Sequence, residues 1–116
     1  MGIQNWSEKI VVAELGEDPQ FSDDLAGIGE RLSAKPADVV LNFSTVGFIN
    51  SSNIAKLLRV RRQVASQGRR LILCGVSTQV WGVFMVTGLD KVFEFTNDIS
   101  TALATIQLGG PSNKRA

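Results

Sequence analysis

The chain predicts an α/β domain: a mostly parallel sheet of four to five strands, an edge strand from the N-terminus and about four helices. Three observations carry this expectation. Short apolar runs alternate along the chain with segments whose apolar residues recur at spacings of three and four. One run, Asp38 to Phe43, is apolar almost throughout, which suits a strand covered on both faces. The 116 residues, 44% of them hydrophobic, can supply one sizeable core, and no internal repeat or composition shift divides them. The domain is placed at residues 1–108. The Gly-Gly-Pro-Ser segment with two basic residues over 109–116 is read as a flexible C-terminal tail.

The elements follow in order. Lys9 to Leu15 reads as a strand, paired with a short one near Ile3 to Trp6. Ser22 to Ala34 reads as a helix, with Leu25, Ile28 and Leu32 on one face; Asp23 and Asp24 sit at its start, where carboxylates favour the dipole and stay solvated. After the Asp38 to Phe43 strand, a helix runs from the Ser51-Ser52 pair to about Gln67, where Gly68 stops it. Arg70 to Cys74 is a strand, Thr78 to Thr87 a helix ended by Gly88, Lys91 to Phe95 a strand and Asp98 to Gln107 a last helix. Strands alternating with helices in this way predict right-handed crossovers. Phe21, Phe43, Phe48, Phe84, Phe93 and Phe95 are core candidates.

Absences narrow the chemistry. With no histidine, no tyrosine and one cysteine, the usual general bases, thiolate clusters and zinc ligand sets are missing, and no cofactor motif stands in for them. The protein is read as a non-catalytic module without cofactor or metal. Cys74, at the end of an apolar strand, is read as a small buried hydrophobe. No apolar stretch is long enough for a membrane span, and the N-terminus lacks the order of a signal peptide, so a cytoplasmic location is expected.

The stretch from Val46 through Ile54 joins a buried strand to a helix through consecutive capping residues, among them Asn50, Ser51, Ser52 and Asn53. The first N–H groups of a helix lack intrahelical partners, so a phosphate on a serine here would meet donors and a favourable dipole. The alternative is that the hydroxyls only cap the helix, worth about 1 kcal/mol.

Charge adds a second clue. The net charge is +1, yet Lys56, Arg59, Arg61, Arg62, Arg69 and Arg70 fall within residues 56–70 without one Asp or Glu. The pI of about 7.9 and the absence of interleaved aromatic residues argue against nucleic acid. A solvated helix face and a docking surface for an acidic partner remain, and the patch follows directly on Ser51. Lys56, Arg59 and Arg62 are the residues proposed to steer that partner. Arg61 projects within the apolar stripe between Leu57 and Ala65, where it is expected to snorkel or to meet a carboxylate. On the following helix, Trp81 and Met85 form an i, i+4 pair directed away from the sheet. They are read as a contact surface, or as side chains covered by neighbouring elements, and they leave room for a homodimer.

The order and spacing of Val39-Val40-Leu41-Asn42-Phe43, Phe48-Ile49-Asn50-Ser51-Ser52, Gly68-Arg69-Arg70-Leu71-Ile72-Leu73-Cys74 and Val86-Thr87-Gly88-Leu89 resemble the STAS domain, the family of anti-sigma factor antagonists. The resemblance covers nearly the whole chain and is clearest over residues 38–107. In such antagonists, a serine after an Asp at this junction is phosphorylated by an anti-sigma factor kinase, and the unphosphorylated form binds that kinase and frees the sigma factor. Carried over by position, the acceptor is Ser51, with Ser52 the second choice. The resemblance therefore implies an anti-sigma factor with serine kinase activity as partner. Two residues depart from the family pattern: the usual acidic residue is Asn50, and the Gly that follows the serines is Asn53. The alternative they leave is a STAS scaffold or ligand-sensing module in a larger signalling assembly, never phosphorylated.

Overall fold

A computed structural model describes residues 3–109. The elements run β1 (Ile3–Ser7), β2 (Ile10–Glu14), α1 (Gln20–Ala34), β3 (Asp38–Asn42), α2 (Ser51–Ser66), β4 (Leu71–Cys74), α3 (Thr78–Val86), β5 (Glu94–Thr96) and α4 (Ile99–Gln107), with a single 3-10 turn at Leu89–Lys91. The five strands lie in sequence order across one sheet; β1 pairs antiparallel with β2, and every other pairing is parallel.

Strand side chains alternate between two faces, and the alternation sorts the core into two layers. Val11, Ala13, Val39, Leu41, Leu71 and Leu73 point to one face, where Phe21, Leu25, Ile28 and Leu32 of α1, Leu57, Val60 and Val64 of α2, and Val80 and Phe84 of α3 cover them. Ile10, Val12, Val40, Ile72 and Cys74 point to the other, against Ala102, Ile99, Leu103 and Ile106 of α4. Both faces of the central strands are thus buried, which is why β3 and β4 read as continuous apolar runs. Cys74 is fully buried, and burial, aided by Asp98, pushes its thiol up to about 11, so it behaves as the hydrophobe expected.

The structure departs from the sequence reading at several points, each for a local reason. Phe48 is 64% exposed and outside the core, because Val46 and Ile49 on either side of it are the residues that anchor the loop inward. Asp24 is buried; it shares the α1 stripe with Phe21, Leu25 and Ile28, and Gln20 Nε2 donates to it at 3.4 Å, whereas Asp23 is exposed as expected. The buried stripe of α2 runs through Asn53, Leu57, Val60 and Val64, leaving Ala65 outside. Arg61 is half-buried and donates from Nε to the Val92 carbonyl at 3.1 Å, a backbone acceptor in place of a carboxylate. The last strand begins at Glu94, three residues later than Lys91, since Gly88 in a left-handed conformation (φ 77°) starts the 3-10 turn and its hydrogen bonds carry the chain through Val92. The 109–116 tail lies, beyond Gly109, outside the described residues.

At the amino ends of the strands two ion pairs tie neighbours together. Arg69 meets Asp38 at 3.1 Å, and Arg70 pairs with the buried Glu94. The basic run of residues 56–70 is therefore not one patch, because its last two members are consumed inside the fold.

Candidate functional site: the β3–α2 junction

The junction lies at the carboxyl end of β3, the end of a parallel sheet where connecting loops commonly carry function. Hydrogen bonds fasten the loop over residues 43–47. Ser44 N donates to Asn42 Oδ1 at 3.1 Å, Val46 N to the Phe43 carbonyl at 2.9 Å, and Thr45 Oγ1 to the Leu15 carbonyl at 2.7 Å. Gly47 N donates to Glu17 Oε2 at 2.9 Å. The loop is thereby locked to the β2–α1 connection.

Asn50 is the N-cap of α2, so neither serine is. Its Oδ1 accepts from Asn53 N at 2.8 Å, and Asn53 Oδ1 accepts from Asn50 N at 2.9 Å, a reciprocal capping box built from two asparagines. Asn53 is only 4% exposed, and its Nδ2 donates to Asp18 Oδ2 at 2.9 Å. Its side chain is buried and holds the junction from inside. Asp18 Oδ1 in turn accepts from Ser22 Oγ at 2.7 Å and Ser22 N at 3.1 Å. These bonds, from the Ser22 hydroxyl first and Asn53 next, hold the Asp18 carboxyl below its ordinary pKa. One carboxylate thus joins the first turns of α1 and α2.

With the cap occupied by Asn50, Ser51 and Ser52 take the first two helical positions, both exposed. Their hydroxyls differ. Ser52 Oγ accepts from Lys56 Nζ at 2.7 Å, an i, i+4 contact along the helix. The Ser51 hydroxyl has no hydrogen-bond partner among the described residues. Asn53 N and Ile54 N are bound by Asn50, which leaves the N–H groups of Ser51 and Ser52 as the donors without a partner at this helix start. An anion on Ser51 would sit against them and against the positive end of the dipole.

Of the cations proposed to steer a partner, Arg59 and Arg62 are exposed and form no ion pair among the described residues. Lys56 and Arg59 border a groove of about 350 Å³ between α1 and α2, with Ser22, Gly29, Glu30 and Gln63 among its other walls. Arg62 lies about 60–120° round the helix from them, as 100° per residue requires. The structure therefore brings Asn50, Ser51, Ser52, Lys56 and Arg59 to one region. Trp81 and Met85 belong to a separate surface on α3, where Trp81, 36% exposed, meets Phe95 edge to face at 5.0 Å, and Met85 is 55% exposed.

The residues that sequence reasoning missed are Glu17 and Asp18. Nothing beside them marks a site, and the one available signal was the Asn-x-x-Asn spacing, a capping box without the usual Ser/Thr and Glu/Gln. Among the described residues no cluster of acidic or cysteine side chains is placed to hold a metal ion. Among the described residues no helix is long and apolar enough to cross a membrane.

Fold and junction together define a small α/β module that offers a free hydroxyl and a fixed loop at a helix N-terminus. The chain belongs to the STAS domain family, whose model matches residues 3–102. Several solved structures are similar to it, three of which follow. The anti-sigma factor antagonist SpoIIAA in its unphosphorylated form is 20% identical over 90% of this chain and 94% of its own, with a TM-score of 0.78. The Bacillus cell fate determinant SpoIIAA in its phosphorylated form is 19% identical over 90% and 96%, with a TM-score of 0.71. An anti-sigma-factor antagonist (STAS) domain protein from Planctomyces limnophilus is 21% identical over 90% and 97%, with a TM-score of 0.77.

Proposed function

We propose that this protein is an anti-sigma factor antagonist, a binding module switched by phosphorylation of Ser51, and that its partner is an anti-sigma factor with serine kinase activity. The observation that carries the reading is the inequality of the two hydroxyls: Ser51 Oγ stands free at the helix start, whereas Ser52 Oγ is held by Lys56. A phosphate adds about −1.5 to −2 charges. Within the domain, the two open N–H groups and the dipole stabilise it, so the fold survives modification. At a partner packed closely over Ser51 the same group must be desolvated, so modification acts on binding. The fixed loop supports this role, since a preorganised surface loses little entropy on docking. Exposed Phe48, three residues before Ser51, supplies an apolar contact beside the switch.

The test is incubation with the cognate kinase and ATP, followed by mass spectrometry of the peptide spanning Ser51 and Ser52. Modification at Ser51 is expected, with Ser51→Ala binding like the unmodified protein and Ser51→Asp binding much more weakly. Modification confined to Ser52, or none by a kinase shown to be active on another substrate, would replace this reading with the scaffold one. Asn50 is the observation that favours that alternative, because an uncharged cap beside the serine removes the acidic group the family usually carries there.

The basic surface has its own expected outcome. Charge reversal of Lys56, Arg59 and Arg62 to Glu should slow association with the partner by about tenfold or more while changing dissociation far less, and added salt should weaken wild-type association. Stopped-flow binding kinetics read this directly; an unchanged association rate removes these residues from the interface.

A further inference from the structure

We propose that the groove between α1 and α2 is a docking site for an amphipathic helix of the protein partner, one whose apolar stripe has acidic residues along one flank and basic residues along the other. This deepens the antagonist reading, on which it rests for the presence of a protein partner, and Ser51 is not among the groove walls. The two helices both cross between parallel strands, so they run in the same direction. Side-chain bonds tie them at each end. Asp18 joins Ser22 to Asn53 at the amino end; further along, Gln63 Nε2 donates to the Gly29 carbonyl at 3.0 Å and Gln67 Nε2 to the Leu32 carbonyl at 2.9 Å. The spacing of the walls is therefore set before a partner arrives, which lowers the entropy lost on docking. Between the ties lies a groove of about 350 Å³. Its walls include the buried Leu25 and Val60, and the small Ala26 and Gly29 keep the α1 side low.

The geometry selects a helix. α1 and α2 bond their own backbone groups, so an extended segment laid between them would leave its main chain unpaired against apolar side chains. A helix pairs its own main chain and offers a ridge of side chains that fits between two others. Lys56 and Gln63, at the two ends of the α2 wall, are about 10.5 Å apart along the axis, or two turns. Two turns of an incoming helix, with apolar residues three and four apart, fill that length.

Charge selects the flanks. Lys56 and Arg59 stand on the α2 wall, and neither forms an ion pair among the described residues. Lys56 is half-buried, with Ser52 Oγ as its acceptor. Glu30, exposed and likewise without an ion pair among the described residues, stands on the α1 wall. The walls thus differ in sign. A uniformly anionic ligand, whether nucleic acid or a lipid surface, would meet Glu30 as a like charge, and a uniformly basic one would meet two. A helix with opposite charges on its flanks complements both walls.

An NMR titration of the isotope-labelled full chain tests the proposal. The probe is a synthetic helix of about fourteen residues, four turns, with Leu at i, i+3, i+4 and i+7, Glu on one flank and Lys on the other. The control carries Lys on both flanks. Saturable amide shifts are expected at Ala26, Gly29, Arg59 and Gln63, and the control should bind at least about tenfold more weakly. Ala26→Arg, at an exposed position, obstructs the groove while adding a cation, and should weaken the probe at least about tenfold. Arg59→Glu should weaken it too, and both variants should melt close to wild type, as exposed helical positions allow. Against the cognate anti-sigma factor, Ala26→Arg should speed dissociation at least about tenfold in stopped-flow kinetics. Attraction to the basic surface alone would instead leave Ala26→Arg binding as tightly as wild type or more so, which would overturn the proposal. So would equal binding of the control, unchanged dissociation of the anti-sigma factor, or no saturable shift up to about 1 mM, the weak end of the affinity scale. The titration uses no kinase, so the groove and the Ser51 switch stand or fall separately.

Discussion

The β3–α2 and β4–α3 junctions leave the same end of the same sheet, and each presents a serine at a helix start. At β4–α3 the connection is three residues long. Gly75 turns the chain in a left-handed conformation (φ 68°), where a Cβ would come within 2.7 Å of Asn42 Oδ1. Ser77 then caps α3, its Oγ accepting from Val80 N at 3.2 Å. That hydroxyl is spent on structure. At β3–α2 the connection is eight residues long, an asparagine occupies the cap, and the serine that follows it keeps its hydroxyl free. Which residue holds the cap decides whether a serine at a helix start is structural or available, and the residue type does not reveal it.

This difference can be broken by substitution, most deeply at the buried asparagine. Asn53→Ala removes the reciprocal half of the capping box and the bond to Asp18, and urea unfolding should show a loss of about 2 kcal/mol. A loss under about 0.5 kcal/mol, the range of an ordinary surface change, would mean that the loop does not depend on this network. A smaller contrast separates the two serines. Ser77→Ala should cost about 1 kcal/mol as a lost cap, whereas Ser51→Ala should stay within about 0.5 kcal/mol of wild type. Equal losses would erase the distinction on which the assignment of Ser51 rests.

The smallest effect sharpens the comparison through pH. Asp18 has its pKa lowered in the folded state by its bonds to Ser22 and Asn53, so the folded protein releases this proton more readily than the unfolded chain. The stability it contributes is present above the unfolded value of about 4 and is lost as pH falls through the lower folded value. Asp18→Asn should therefore melt below wild type at pH 7, and the gap should close on acidification below about pH 4. A gap that persists undiminished in acid would assign the effect to packing rather than to the carboxylate.

Much of the fold was legible because periodicity reports burial directly. The α1 stripe, the apolar β3 and β4 runs and the stop at Gly68 each satisfy a rule that acts within a few residues. What failed did so where the deciding partner lay far along the chain. Lys56, Arg59, Arg69 and Arg70 look alike in sequence, but Asp38 and Glu94, brought close by parallel pairing across the sheet, neutralise only the last two. Phe48 and Asp24 exchange their expected environments because Val46 and Ile49 anchor the loop while α1 turns its Asp24 face inward.

The sequence by itself determined the α/β order of elements, the position of the β3–α2 junction and the absence of histidine and tyrosine, since local propensity, periodicity and composition need no partner to act. Only the tertiary structure decided that Asp18 ties two helix starts together through a buried Asn53, whereas the Asn50 cap and the hold of Lys56 on Ser52 are contacts three and four residues long. Hydrogen bonds between residues as far apart as 18 and 53 form only once the β2–α1 and β3–α2 loops meet at one end of the sheet, and no local pattern in the chain encodes that meeting.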